Sequence, residues 1–126
     1  MNIYAEDIEI FSNILCPKTI EYKGGVILSW WAVSDEDIEE IKKIFDEGIR
    51  NFLSISKAEK AINYIILYDI FFNTSQTASD ETYKNVADLI KKNWEYHLIT
   101  NYPNKKFIVE IIGEYEQFGV TFYQAP

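Results

Sequence analysis

The amino-acid sequence predicts a single α+β domain over residues 1–126, in which an antiparallel sheet packs against about four helices. Two observations predict this class. Apart from a short N-terminal helix, helical periodicities are grouped in the middle of the chain, and strand-like pairs lie to either side of them instead of alternating with them. In addition, 48% hydrophobic and 25% charged residues are ordinary proportions for a globular chain with room for one core.

The first elements are a short helix and a hairpin. Apolar residues at helical spacing predict a helix over residues 4–15. Residues 19–23 and 26–33 are predicted as strands, and Gly24-Gly25 between them supplies the positive φ angles of a tight turn. The second strand contains two adjacent tryptophans, which should face opposite sides, so we expect one ring in the core and the other either exposed or beneath a neighbouring element.

Three further helices are predicted in the middle of the chain. Ser34 offers an N-cap for the first, and the pattern Ser56-x-x-Glu59 offers a capping box for the second. The longest is expected over residues 80–99. Residues 63–72 are apolar on every side, and although we favour a helix there, periodicity does not separate a buried helix from a buried strand.

The last elements are predicted to form a second hairpin. A polar stretch at 73–79 is expected to be a loop before the long helix. Strands are expected at residues 106–112 and 118–124, joined by residues 113–117. Residues 118–123 are apolar and aromatic on both faces, so they must be covered by the fold or by another chain.

Charge and cysteine content exclude several function classes. The net charge is −8, a field that repels nucleic acids and anionic membranes and attracts cationic partners, so we expect neither nucleic acid nor membrane as a ligand. Cys16 alone forms no internal disulfide, and the N-terminal residues lack the features of a signal peptide. We therefore expect a cytoplasmic protein. The sequence favours a monomer without fixing the oligomeric state.

Candidate catalytic residues are few. With one histidine and one cysteine, the usual zinc ligands are lacking, and we expect no metal and no cofactor. His97 on an apolar stripe is better explained as a packed or capping residue than as a general base. Asp69 is expected on a buried face, where burial would raise its pKa unless it is paired. Asp69, or the pair Asp35 and Asp37, would be the centre of an enzyme that uses carboxylates, a hypothesis that stays open.

The distribution of acids is the most asymmetric feature of the sequence. Residues 34–47 carry a net charge of −5, and helical spacing predicts the ion pairs Glu39–Lys43 and Asp46–Arg50. Three glutamates remain that should point outward together as a ridge. An exposed tryptophan beside such a ridge is typical of an interface, although a solvated helix face explains the same residues. The predicted partner-binding residues are Trp31, Asp35, Glu36, Glu39, Glu40 and Glu47, with the ridge formed by Glu36, Glu40 and Glu47.

In size, charge, α+β character and lack of a predicted active site, the whole chain resembles bacterial immunity proteins, including those of contact-dependent growth inhibition systems. The resemblance rests on no single motif, so no functional residue is carried over from it. It implies a protein that neutralises a basic partner, a cognate toxin such as a nuclease, by covering its cationic site. Two other hypotheses stay open, a structural or adaptor subunit and a small carboxylate-dependent enzyme.

Overall fold

The structure is a computed structural model that describes residues 4–71 and 79–126. Over these ranges the chain forms five α-helices and five β-strands, which confirms the predicted α+β class. In chain order they are α1 (Ala5–Leu15), β1 (Thr19–Tyr22), β2 (Gly25–Leu28), α2 (Asp35–Phe52), α3 (Ile55–Ile62), β3 (Ile65–Ile66), α4 (Leu67–Ile70), α5 (Asp80–Asn101), β4 (Phe107–Ile112) and β5 (Gly119–Gln124), with a short 3₁₀ helix at Tyr115–Gln117 before β5.

Both predicted hairpins are present, but they belong to separate antiparallel sheets. β1 and β2 form a two-stranded sheet, and the described residues place β3, β5 and β4 in a second sheet in that order. Because β5 is the central strand, the apolar C-terminal segment is covered by the fold, with residues 119–122 buried. Of the two predicted alternatives, cover by the fold or by another chain, the structure shows cover by the fold.

The first turn differs from the prediction by one residue. The positive φ angles belong to Lys23 (49°) and Gly24 (83°), whereas Gly25 already pairs within β2. Gly25 is required for a different reason, since a Cβ there would lie 2.4 Å from Cζ of Phe45. The aromatic ring of α2 therefore packs directly on the backbone of the hairpin.

The helix α3 joins the two sheets through buried polar side chains. Glu59 accepts hydrogen bonds from the Val26 N–H (2.8 Å) of β2 and from the Gln124 N–H (2.9 Å) of β5. Asn63, one turn later, accepts from the Leu28 N–H (2.9 Å) and donates to the carbonyls of Val26 (2.9 Å) and Phe122 (3.2 Å). These side chains satisfy the edge of β2 that none of the described strands pairs with.

The predicted capping box of α3 is therefore wrong. The N-cap is Ser54, whose hydroxyl accepts from the Lys57 N–H at 3.1 Å. Ser56 lies inside the helix and donates to the carbonyl of Gln124, while Glu59 is fully buried at the junction of the sheets. The predicted cap of α2 is confirmed, because Ser34 is its N-cap. Ser79, predicted as the last residue of the loop, is the N-cap of α5.

Two apolar clusters lie on either side of β2. Val26 and Leu28 belong to the larger one, which contains α5, β4 and β5, and Ile27 belongs to a smaller one with Ile41 and Phe45 of α2. β2 is thus buried on both faces. One apolar cluster packs on each face of β2, and α3 hydrogen-bonds to its edge. The residues that follow β2 are therefore attached to a firmly held strand.

The ambiguous segment 63–72 is neither a long helix nor a long strand. It contains the two-residue strand β3 and then the single turn of α4, up to the described residue Phe71. Phe72 and positions 73–78 of the predicted loop lie outside the described residues. The long helix begins at Asp80 as predicted and continues to Asn101, two residues beyond the predicted end.

Candidate functional site

The two adjacent tryptophans lie at the tip of a β-turn. β2 ends at Leu28, and the Ala32 N–H donates to the Ser29 carbonyl at 3.0 Å, so Trp30 and Trp31 are the central residues of the turn. The expectation that one ring enters the core is wrong, because the alternation of a strand no longer applies there. Both residues are partly exposed, by 36% and 47% respectively.

Beside this turn lies an open cleft of about 450 Å³. Its walls come from the tryptophan turn, from one side of α2 and from the segment 62–70 that contains β3 and α4. Most lining residues are apolar, and three are aromatic. They are Leu28, Trp30, Trp31, Ile41, Ile44, Ile62, Tyr64, Ile65, Ile66, Asp69 and Ile70. A volume of this size falls in the range of ligand pockets.

Tyr64 also lines the cleft, and its hydroxyl group is held by a structural partner. The hydroxyl donates a hydrogen bond to the carbonyl of Gln117, in the 3₁₀ segment before β5. Burial raises the pKa of the Tyr64 hydroxyl above its usual value, because the phenolate would be poorly solvated there. The hydroxyl therefore stays protonated at neutral pH and anchors the ring in place.

Asp69 brings the one carboxylate among the residues that line this cleft. The sequence placed it on a buried face of a longer helix, and that expectation is wrong, because α4 is only one turn long and leaves Asp69 exposed. Among the described residues, no ion pair involves Asp69. A deep, filled core around this carboxylate, which would have dismissed a functional role, is not found.

One flank of α2 carries unpaired acids next to the cleft. Ile44 lines the cleft, and Glu40 and Glu47 lie four residues before it and three after it, on the same side of the helix. Glu36 continues this row one turn earlier. All three are exposed, and none forms an ion pair with another described residue. We call Glu36, Glu40 and Glu47 the cleft-side row.

The opposite flank of α2 carries acids that are paired. Oε1 of Glu39 forms an ion pair with Nζ of Lys42 at 3.4 Å. The Asp46 carboxylate accepts hydrogen bonds from Lys23 Nζ at 2.9 Å and from the Tyr22 hydroxyl at 3.0 Å. The hydrogen bond from Lys23 lowers the pKa of the Asp46 carboxyl and raises that of the lysine. The predicted i,i+4 pairs with Lys43 and Arg50 do not form within 4 Å; closer cations take their places.

The structure therefore divides the six predicted partner-binding residues. Trp31 lines the cleft, and Glu36, Glu40 and Glu47 lie on the adjoining side of α2 without lining it. Asp35 and Glu39 lie on the paired flank with Lys42 and Asp46, although of these two acids only Glu39 forms an ion pair with a described residue. The prediction omitted Trp30, Ile44 and Tyr64, which also line the cleft. It named Asp69 only as a centre for the carboxylate-dependent enzyme. One feature of the sequence could have indicated the site. Ile44 is an apolar residue outside the core stripe of α2, and helical spacing places it between Glu40 and Glu47.

The remaining residues considered as functional groups in the sequence do not line the cleft. Asp37 accepts from the Val33 N–H at 2.9 Å and so completes the N-terminal cap of α2, and it is not one of the residues that line the cleft. Nδ2 of Asn101 lies 3.2 Å from Nε2 of His97, and Cys16 is exposed. The described residues contain no group of three or more histidine, cysteine or acidic side chains arranged to hold a metal ion.

None of the helices in the described parts of the chain combines the length and the apolar character needed to cross a bilayer. Comparison with models of protein families, with curated proteins and with solved structures gives no match to this chain.

Proposed function

We propose that this chain is an acidic binding protein that neutralises a basic protein partner, an immunity protein that blocks a cognate toxin in the cytoplasm. The observation that carries the proposal is the unpaired cleft-side row next to an aromatic cleft. Apolar anchors beside unpaired charges are the usual composition of a protein–protein interface. The alternative, a helix face that only contacts water, does not account for an aromatic cleft beside the acids.

The mechanism is electrostatic and steric. The cleft-side row attracts a cationic surface and orients it, and the tryptophan turn supplies the contact area that holds the complex. A toxin that acts on nucleic acid needs a basic substrate site, and an acidic protein seated there excludes the substrate. The firmly held strand that precedes the tryptophans allows this docking with little loss of conformational freedom.

The experiment is a co-expression pull-down with the product of the gene immediately upstream, because immunity genes follow their toxins. The triple reversal Glu36→Lys/Glu40→Lys/Glu47→Lys is compared with wild type at low and high salt. We expect a complex that protects cells from the upstream product and that the triple reversal abolishes. A protective complex that the triple reversal leaves intact would contradict the assignment of the surface.

A structural or adaptor role is the second candidate, and one observation favours it. Leu89, Tyr96 and Ile99 form an exposed apolar row along the outer side of α5, with 50%, 74% and 66% of their surface accessible. Spacings of seven and three residues are those by which helices pair. Light scattering across a concentration series tests this role, which predicts an oligomer that the double variant Leu89→Glu/Ile99→Glu dissociates.

A carboxylate-dependent enzyme is the least favoured function. Asp69 does line a cleft, but no second carboxylate or histidine is among the described residues that line it, and neither Asp35 nor Asp37 of α2 is one of them. General acid–base chemistry with two carboxylates needs both within reach of one substrate. Binding, which needs only complementary charge and shape, is better supported by this set of residues.

A further inference from the structure

The cleft joins aromatic rings to a carboxylate in one concave surface. Trp30, Trp31 and Tyr64 supply three rings, Asp69 supplies one negative charge, and isoleucines make up most of the remaining wall. Within the described ranges, no lysine, arginine or histidine lines the cleft to neutralise Asp69. Aromatic faces and an unpaired carboxylate share one preference, which is for a cation.

We propose that the cleft binds an arginine side chain carried by a basic protein segment. The methylene stem of arginine would lie on the isoleucine wall, its planar guanidinium would stack on a tryptophan ring, and its N–H groups would donate to Asp69. The proposal rests on the proposed function for the source of the segment. It adds the residue type that the cleft takes and assigns Asp69 as its anchor.

Other occupants fit less well. A purely apolar side chain would remove Asp69 from water without giving it a partner, which costs free energy. An anion would meet both Asp69 and the cleft-side row. A lysine would be attracted, and its ammonium can lie over a ring, as Lys42 does over Tyr22. Its strong hydration opposes entry into a mainly apolar cleft, however, and it lacks the planar fork that stacks on a ring while it donates to a carboxylate. Arginine satisfies the rings, the carboxylate and the apolar wall together.

The surrounding charges favour the same occupant. Glu40 and Glu47 flank Ile44 at the wall of the cleft, so further basic residues of the segment would find acids on either side of the bound arginine. In this arrangement the row attracts the segment and the cleft selects one side chain. The two functions are separable by mutation, since Asp69 belongs to α4 and the row belongs to α2.

The first experiment is a titration of the ¹⁵N-labelled protein with the peptide acetyl-Gly-Arg-Gly-amide, followed by the tryptophan indole signals. We expect the Trp30 and Trp31 signals to shift and saturate at a dissociation constant of the order of 1 mM. Trp94 is an internal control, because it is 2% exposed and its Nε1–H donates to the Ile14 carbonyl at 2.8 Å.

Matched ligands and variants make the titration decisive. The peptide with citrulline in place of arginine keeps the shape and removes the charge, and it should bind about tenfold more weakly. Asp69→Asn should cause a similar loss with the arginine peptide, and the control Asp88→Asn, on an exposed position of α5, should cause none. Equal binding of both peptides, or unchanged binding by Asp69→Asn, would overturn the proposal.

A second measurement separates this proposal from the proposed function. If a toxin partner binds through the cleft-side row, the folded variants Trp31→Ala and Asp69→Asn should each weaken that complex by at least about tenfold. A complex that the triple reversal breaks and that both of these variants leave intact would overturn the arginine site and leave the proposed function standing. Arginine-specific shifts without any protective complex would support the site and count against the immunity function.

Discussion

Two neighbouring helices use their glutamates in opposite ways. On α3, Glu59 is fully buried and accepts three hydrogen bonds, from the Val26 N–H and from both nitrogens of Gln124. On α2, Glu40 and Glu47 are exposed and form no ion pair with a described residue. The hydrogen-bond donors around a carboxylate, more than its own chemistry, therefore decide whether it stabilises the fold or stays free for a partner.

The largest effect on stability is expected at the buried glutamate. Glu59→Gln keeps the size of the side chain but directs an NH₂ group at one of the two sets of donors, which leaves buried N–H groups unsatisfied. We expect a loss of roughly 3 kcal/mol in the free energy of unfolding, measured by urea denaturation. Glu47→Gln is the matched control, and an equal effect of both variants would remove the contrast between the helices.

Asn63 tests the same junction one turn later. Asn63→Ala removes the acceptor of the Leu28 N–H and the donor to the carbonyls of Val26 and Phe122. We expect a cost of about 2 kcal/mol in the free energy of unfolding. Because β2 leads into the tryptophan turn, the indole signals of Trp30 and Trp31 should broaden or shift in this variant. A stable variant with unchanged indole signals would show that the turn is held independently of α3.

Asp46 lies between the two extremes, partly exposed and paired with Lys23. Its pKa is lowered in the folded state by that hydrogen bond, so the stabilisation is present above the usual value of 3.8 and is lost as the pH falls through the lowered pKa. Wild type should therefore lose more stability than Asp46→Asn between about pH 5 and pH 2. Parallel pH profiles of the urea midpoint would mean that the pair contributes nothing measurable.

The smallest effect on stability is expected for the cleft-side row. Glu36 and Glu40 are like charges one turn apart, so Glu40→Gln removes a repulsion and should change the free energy of unfolding by no more than about 0.5 kcal/mol. Thermal denaturation checks this. A large destabilisation would mean that Glu40 has a structural partner and would weaken its assignment to binding.

The fold class could be predicted from local patterns, because caps, helical stripes and strand pairs lie within a few residues of one another. The functions of Ser56 and Glu59 could not, since Ser56-x-x-Glu59 has the spacing of a capping box and only the approach of β2 and β5 shows that Glu59 is buried. Ser54 begins the helix in its place. Local spacing does not contain this long-range information.

The acidic row could be predicted as well, because it depends on helical spacing alone. The cleft could not, since it is assembled from separate segments and since Ser29–Ala32 lacks the glycine, proline or asparagine that usually indicates a turn. Two tryptophans in sequence favoured a continued strand. Asp69 was misplaced for the related reason that α4 ends after one turn.

The most direct test of the account compares association rates for two variants with the same change in charge. One is Glu40→Lys/Glu47→Lys on the cleft side, and the other is Asp35→Lys/Glu39→Lys on the paired flank, each measured with the toxin partner by stopped flow at low and high salt. We expect the cleft-side variant to associate at least about tenfold more slowly at low salt, and we expect salt to reduce the difference. Equal rates for the two variants would contradict this expectation.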